Sequence, residues 1–281
     1  MSGVHTLHLR DRVIETKYDA FVMGIVNATQ DSFWEESRGG IERAFKLIDE
    51  GADIIDIGAE STRPNAKYVD AADEIKAIVP IVQAIREKSD IAISIDTRKK
   101  SVMEAAFNAG ADILNDVSAL EDDEQMAHFV AEKKIPVILM HKRGTPESMQ
   151  KNASYTDAFG EVNEYLKTRV AFALENGIAK DKIIIDAGIG FGKDVRANLD
   201  LIAHSGELLG GEYPVLMALS RKTCIGEITE RDVRGRMVGT VTADLLAVLN
   251  GCSLIRVHDV AEAVDSLKIL KAVKNAGWSV K

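Results

Sequence analysis

Eight short apolar runs in this chain each stop at a side chain able to do chemistry, and that pattern restricts the fold more than any other feature. Val22–Val26 ends at Asn27, Ile54–Ile57 leads to Glu60–Arg63, and Ile91–Ile95 ends at Asp96. Asp112–Leu114 ends at Asn115, Val137–Met140 at His141, and Ile183–Ile185 at Asp186. Val215–Leu219 runs into Ser220–Arg221–Lys222, and Ser253–Ile255 into Arg256–Val257–His258. The apolar positions are consecutive, as in parallel strands covered by helices. Eight such strands with polar groups at one end describe an eightfold β/α barrel whose site lies at the C-terminal face. An open doubly wound sheet would instead gather its ligand at one switch point.

Helical patterns separate the runs. They fall at Ile41–Glu50, Ala71–Lys88, Lys99–Ala109, Asp122–Lys133, Asp157–Asn176, Ala197–Ser205, Gly235–Asn250 and Val260–Ala276. Apolar residues recur at helical spacing, as in Ile75, Ile78, Val79 and Val82. Pro80 falls inside the second pattern and is expected to kink it. Gly51, Gly110, Gly177, Gly251 and Gly277 follow helix ends, where a left-handed residue closes the last turn. Before the first run, Leu7–Leu9 and Val13–Glu15 flank Arg10–Asp11–Arg12 and read as a short β-hairpin capping the barrel's bottom.

The length of 281 residues is close to the roughly 250 typical of one such barrel. With five prolines and no Ser/Gly-rich linker, residues 1–281 read as one domain. The net charge of -9 argues against general nucleic-acid binding, which shows as a basic patch or stripe. Cys224 and Cys252 have no metal-ligand spacing and read as reduced thiols. Met1–Asp11 lacks the apolar core of a secretory signal, and no run reaches the ~18 apolar residues of a membrane span. The expectation is a cytoplasmic protein with no membrane partner. Three connections are long: Ala28–Gly40, Ser61–Asp70 and Lys142–Thr156. Long βα loops on a barrel commonly act as lids.

Asp96, Asn115 and Asp186 stand at three strand ends and converge on one barrel mouth. A carboxylate accepts two parallel hydrogen bonds and so matches a guanidine-like edge, such as that of an amino-pyrimidinone ring. Asn115 meets mixed donors and acceptors on that ring, and Lys222 donates to a ring carbonyl. Each carboxylate taken alone is equally explained by an ion pair inside the barrel. Asp186–Ala187–Gly188–Ile189–Gly190–Phe191–Gly192–Lys193 is a glycine-rich turn without P-loop spacing, whose glycines admit close approach of a flat ligand. Phe191 packs on an aromatic co-substrate or fills a core gap. Arg256 and His258, two apart, share a face near the usual phosphate site of this fold. Asn27 suits Mg2+, which keeps several waters and uses substrate phosphates as ligands.

In joint order and spacing these segments resemble the dihydropteroate synthase family from about Phe21 onward. The matching stretches are Gly24–Phe33, Gly58–Pro64, Ser94–Thr97, Asn115–Ser118, Met140–His141 with Gly144–Pro146 and Met149–Gln150, Asp186–Lys193, Ser220–Lys222 and Arg256–Asp259. The resemblance implies a transferase that joins p-aminobenzoate to 6-hydroxymethyl-7,8-dihydropterin diphosphate and releases pyrophosphate. It implies a pterin pocket of Asp96, Asn115, Asp186, Lys222 and Arg256, and diphosphate contacts from Asn27, Thr62, Arg63, Arg256 and His258. It implies p-aminobenzoate near Thr62, Pro64, Phe191, Ser220 and Arg221, catalysis by Asp96, Asp186, Lys222, Arg256 and His258, a homodimer, and a sulfonamide target. Gln30 and Ala187 replace family prolines. Two competing readings are a methyltetrahydrofolate:corrinoid methyltransferase, which needs no diphosphate site, and a pterin-binding paralogue without turnover.

Overall fold

The parity of side chains along each strand decides what the interior of this molecule contains, because successive residues of a strand point to opposite faces. The computed structural model describes residues 5–28, 39–60, 68–144 and 154–278. A hairpin, β1 (Thr6–His8) and β2 (Val13–Glu15), precedes eight parallel strands. These are β3 (Phe21–Asn27), β4 (Ile54–Gly58), β5 (Ala92–Asp96), β6 (Ile113–Asp116), β7 (Val137–Met140), β8 (Ile183–Asp186), β9 (Val215–Met217) and β10 (Leu254–Val257). They pair in chain order, and β10 closes on β3 to complete a barrel.

One parity points outward. Val22, Ile55, Ile57, Ile93, Ile95, Leu114, Val137, Leu139 and Ile185 pack in the large apolar layer beneath the helices. The other parity points inward and changes character along the strands. At the N-terminal end it is apolar: Phe21, Met23, Ile54, Ala92, Ile113, Ile138, Ile184, Leu216 and Leu254 form a separate core, closed from below by Leu7 and Leu9 of the hairpin. The hairpin therefore plugs the barrel, as expected. One pleat further up, the inward positions are Asp56, Ser94, Asp96, Asn115, Asp186 and Arg256. The barrel is greasy at the bottom and ionic at the top.

The helices are α1 (Gly40–Asp49), α2 (Ala71–Arg86), α3 (Lys100–Ala109), α4 (Met126–Lys133), α5 (Ala158–Glu175), α6 (Val195–Ala203), α7 (Thr223–Thr229), α8 (Met237–Leu249) and α9 (Val260–Asn275). The α2 helix continues through Pro80. The α4 helix begins four residues later than its pattern suggested, because Asp123 accepts from the Gln125 and Lys100 N–H groups and holds that stretch as a turn. The short α7 has too few turns to show a period. Gly51, Gly110, Gly177, Gly251 and Gly277 all carry positive φ at helix ends. Two of these glycines open the same phrase, Gly51–Ala52–Asp53 and Gly110–Ala111–Asp112, at the joint between a helix and the next strand. Asp53 accepts from the Val22 N–H (2.9 Å) and Asp112 from the Ile93 N–H (2.9 Å), so each joint pins the second amide of a neighbouring strand.

Candidate active site

The top of the barrel is organised by one guanidinium between two carboxylates. Arg256, third residue of β10, donates from Nε to Asp56 (2.6 Å) and from Nη2 to Asp96 (2.7 Å). Asn115 Nδ2 reaches the same Asp56 carboxylate at 3.3 and 3.4 Å. Strand register sets Asp96 beside Asn115 and Gly58. Gly58 leaves room for Asp96: a Cβ there would lie 3.1 Å from the Asp96 Cβ and press on that side chain. Three of the predicted positions, Asp96, Asn115 and Arg256, thus meet around a residue the sequence reading passed over. Asp56 is fully buried inside an otherwise apolar run, Ile54–Ile57. A lone carboxylate in such a run is costly unless paired, and that was the available signal.

Charge balance explains how these groups titrate. Burial works against the Arg256 charge, but Asp56 and Asp96 outweigh it and raise its pKa further. Burial lifts Asp96 above the ordinary carboxylate range; Arg256 opposes the rise, and the Asp56 and Glu74 charges add to it. Asp186 is also raised by burial, countered by the Gly188 N–H on its Oδ1 (2.7 Å) and then by Lys222. Burial brings Lys222 down to about 8, against the pull of Asp186, with Arg256 lowering it further. Lys222 and Arg256 thus both lie within electrostatic reach of Asp96 and Asp186 at the top of the barrel. The Lys222 ammonium lies 4.4 Å from the centre of the Phe191 ring, so the glycine-rich turn and the Ser220–Lys222 segment face each other.

His258 leaves the strand toward Ser220. Ser220 Oγ accepts from the His258 backbone N–H (3.1 Å) and lies 2.9 Å from its Nδ1. With the hydroxyl proton directed to Nδ1, the ring carries its own proton on Nε2. The backbone carbonyl of His258 accepts from Arg43 of α1. Arg221 is held by its neighbours. Its guanidinium pairs with Asp259 (2.7 and 3.1 Å) and donates to the Val233 and Arg234 carbonyls, fastening the segment between β9 and α8.

Two further groups frame the mouth. Lys99, almost buried, bridges Glu60 (2.6 Å) and the fully buried Glu74 of α2 (2.7 Å), while Arg98 joins Glu60 to Asp122. In the glycine-rich turn, Lys193 is buried against His141, their Nζ and Nδ1 atoms 2.8 Å apart. Thr62, Arg63, Pro64 and Gln30 lie outside the described residues, as does most of each of the three long connections. Asn27 ends β3 in register with Gly58. Among the described residues no three His, Cys, Asp or Glu side chains form a metal cage. A single amide oxygen at the mouth fits an ion that completes its shell from water and substrate phosphate, as Mg2+ does.

Comparison with known proteins agrees with this geometry. The family described as "Pterin binding enzyme" matches residues 23–258. Dihydropteroate synthase of Haemophilus influenzae is 40% identical over 260 residues, covering 91% of this chain and 94% of that protein. A Yersinia pestis dihydropteroate synthase solved with a sulfonamide drug complex superposes with a TM-score of 0.90 at 34% identity, covering 96% of this chain and 99% of that one. A Xanthomonas albilineans dihydropteroate synthase solved with 4-aminobenzoic acid gives 0.88 at 39% identity, covering 96% and 98%. The family match over residues 23–258, with relatives of 34–40% identity along nearly the whole chain, shows that the protein belongs to the dihydropteroate synthase family of pterin-binding enzymes.

Proposed function

We propose that this chain is a dihydropteroate synthase, condensing 6-hydroxymethyl-7,8-dihydropterin diphosphate with p-aminobenzoate to give 7,8-dihydropteroate and pyrophosphate. The observation that supports the reading is the gathering of Asp96, Asn115, Asp186, Lys222 and Arg256 at the top of one barrel. Asp186 accepts the amino and ring N–H groups of the pterin, Asn115 meets its mixed donor and acceptor edge, and Lys222 donates to its carbonyl. The bond between the pterin methylene and the diphosphate oxygen breaks, and the arylamine nitrogen forms the new C–N bond and then loses a proton. Asp96 and Asp186 place negative charge beside the cation that develops on the pterin. His258 offers Nε2–H and Arg256 its positive field to the departing diphosphate, preorganised charge being the largest catalytic contribution in many enzymes.

Magnesium bound with the diphosphate would neutralise leaving-group charge, with Asn27 as its protein ligand. Thr62 and Arg63 are assigned to the diphosphate. Thr62, Pro64, Phe191, Ser220 and Arg221 are assigned to p-aminobenzoate, Phe191 by ring contact and Arg221 through the segment it fastens. An exposed apolar face on α6, α7 and α8, with Leu199, Ile228, Val238 and Leu246, supports a homodimer. No helix among the described residues is long and apolar enough to cross a membrane. Both Cys224 and Cys252 are buried free thiols, in keeping with a cytoplasmic setting. A pyrophosphate-release assay with both substrates tests the reaction. Release that requires p-aminobenzoate and yields dihydropteroate is expected; pterin binding without release would mean a paralogue that has lost turnover.

A further inference from the structure

The turn between β8 and α6 is built around a buried lysine, Lys193, which the turn's own carbonyls and His141 enclose. Gly188, Gly190 and Gly192 all have positive φ (66, 83 and 68°), and this winding turns carbonyl oxygens inward. At Gly188 a side chain would collide with the His141 carbonyl, and at Gly192 with the Arg143 carbonyl, so no other residue permits the path. The inward oxygens need a donor, and Lys193 supplies it. Its ammonium donates to the Gly188 carbonyl (2.8 Å) and the Phe191 carbonyl (3.2 Å), with the His141 carbonyl at 3.4 Å. The His141 Nδ1 completes the shell at 2.8 Å. With Lys193 protonated, that bond has His141 neutral with its proton on Nε2. Burial, Lys193 and Arg143 push His141 down to about 3. Burial brings Lys193 to about 7, with Asp186 opposing and Lys222 and Arg143 adding to the fall.

The outer side of the same turn carries the groups assigned to the substrates. The Gly188 N–H orients the Asp186 carboxylate (2.7 Å), and Phe191 is set over Lys222. The Phe191 N–H returns to the Gly188 carbonyl (3.1 Å), the same oxygen that Lys193 holds. One ammonium thus anchors both ends of the segment from Gly188 to Phe191, and ties it to the end of β7.

We propose that Lys193, seated on neutral His141, is the positioning residue of this site: it touches neither substrate but sets the Asp186 carboxylate for the pterin and the Phe191 ring for the arylamine. The arylamine half of the inference rests on the synthase reading; the pterin half does not. The test is calorimetric titration with 6-hydroxymethylpterin, beside steady-state kinetics in both substrates. Lys193→Met keeps the length and removes the donor. It is expected to raise the pterin Kd and both KM values at least tenfold while kcat at saturation falls by a smaller factor. His141→Gln, which retains an acceptor, should stay within about threefold of wild type, and His141→Leu should lose more than His141→Gln in both titration and KM. A folded Lys193→Met chain with pterin Kd within twofold of wild type overturns the proposal. Should Lys193→Met not fold, equal Kd values for the two His141 variants overturn it instead. Wild-type chain that binds pterin but makes no dihydropteroate would refute the synthase reading and leave the pterin titration as the test of Lys193.

Discussion

Asp244 should weaken the protein that contains it, and replacing it should help. It lies on the buried side of α8 with about 1% exposure, and neither carboxylate oxygen has a hydrogen-bond partner among the described residues. Burial raises its pKa well above the ordinary value, and the Asp259 charge adds to the rise. An unsatisfied buried polar group costs about 1–3 kcal/mol. Asp244→Ala removes that cost and gains about 0.5 kcal/mol of helix propensity, while the small void it leaves costs about 1 kcal/mol. The net expectation is a stabilisation of about 0.5–2.5 kcal/mol. At about 2 °C per kcal/mol for a chain of this size, Tm rises by about 1–5 °C. The pH dependence has a definite sign. A carboxyl whose folded pKa is raised leaves stability intact below the unfolded value near 3.9 and subtracts from it as pH rises toward the folded value. The gain from Asp244→Ala should therefore be larger at pH 7.5 than at pH 4.5. Asp244→Asn should abolish that pH dependence without the full gain, since an amide in the same place is equally unsatisfied. Differential scanning calorimetry at both pH values decides. An alanine variant less stable than wild type at pH 7.5, or a gain equal at the two pH values, refutes the reasoning.

Three further outcomes are expected. Asp186→Asn should lose pterin affinity at least tenfold by calorimetry, because an amide cannot accept both bonds of a guanidine-like edge; wild-type affinity would show that Asp186 does not read the ring. Gly188→Ala should abolish pterin binding while leaving the hairpin and outer helices folded by circular dichroism, since its Cβ has no space beside the His141 carbonyl. The profile of kcat/KM for the pterin substrate should be bell-shaped. Its acid limb should lie above the ordinary carboxylate range, where Asp96 takes up a proton, and its alkaline limb near pH 8, where Lys222 loses one. Asp96→Asn should remove the acid limb, and a profile flat from pH 5 to 9 would contradict the electrostatics derived for the cavity.

The sequence by itself determined the alternation of strands and helices, the closing glycines and the residue types at the strand ends. These are local properties: apolar runs, helical spacing and left-handed caps depend on residues a few positions apart. The barrel followed from them, because eight parallel strands with covered faces have few ways to bury themselves. Asp96, Asn115, Asp186, Lys222 and Arg256 were legible as a group because each sits at the same end of its strand. Partners across the barrel were not legible. Asp56 meets an arginine 200 positions away, and inward parity and closure of the ring alone bring them together. The same holds for Lys193 and His141, 52 positions apart, and for Arg221, whose guanidinium is taken by Asp259. Hydrogen bonds and ion pairs act over a few ångströms of space and carry no mark in chain distance, so only the tertiary structure decided which charged groups pair with one another across the barrel.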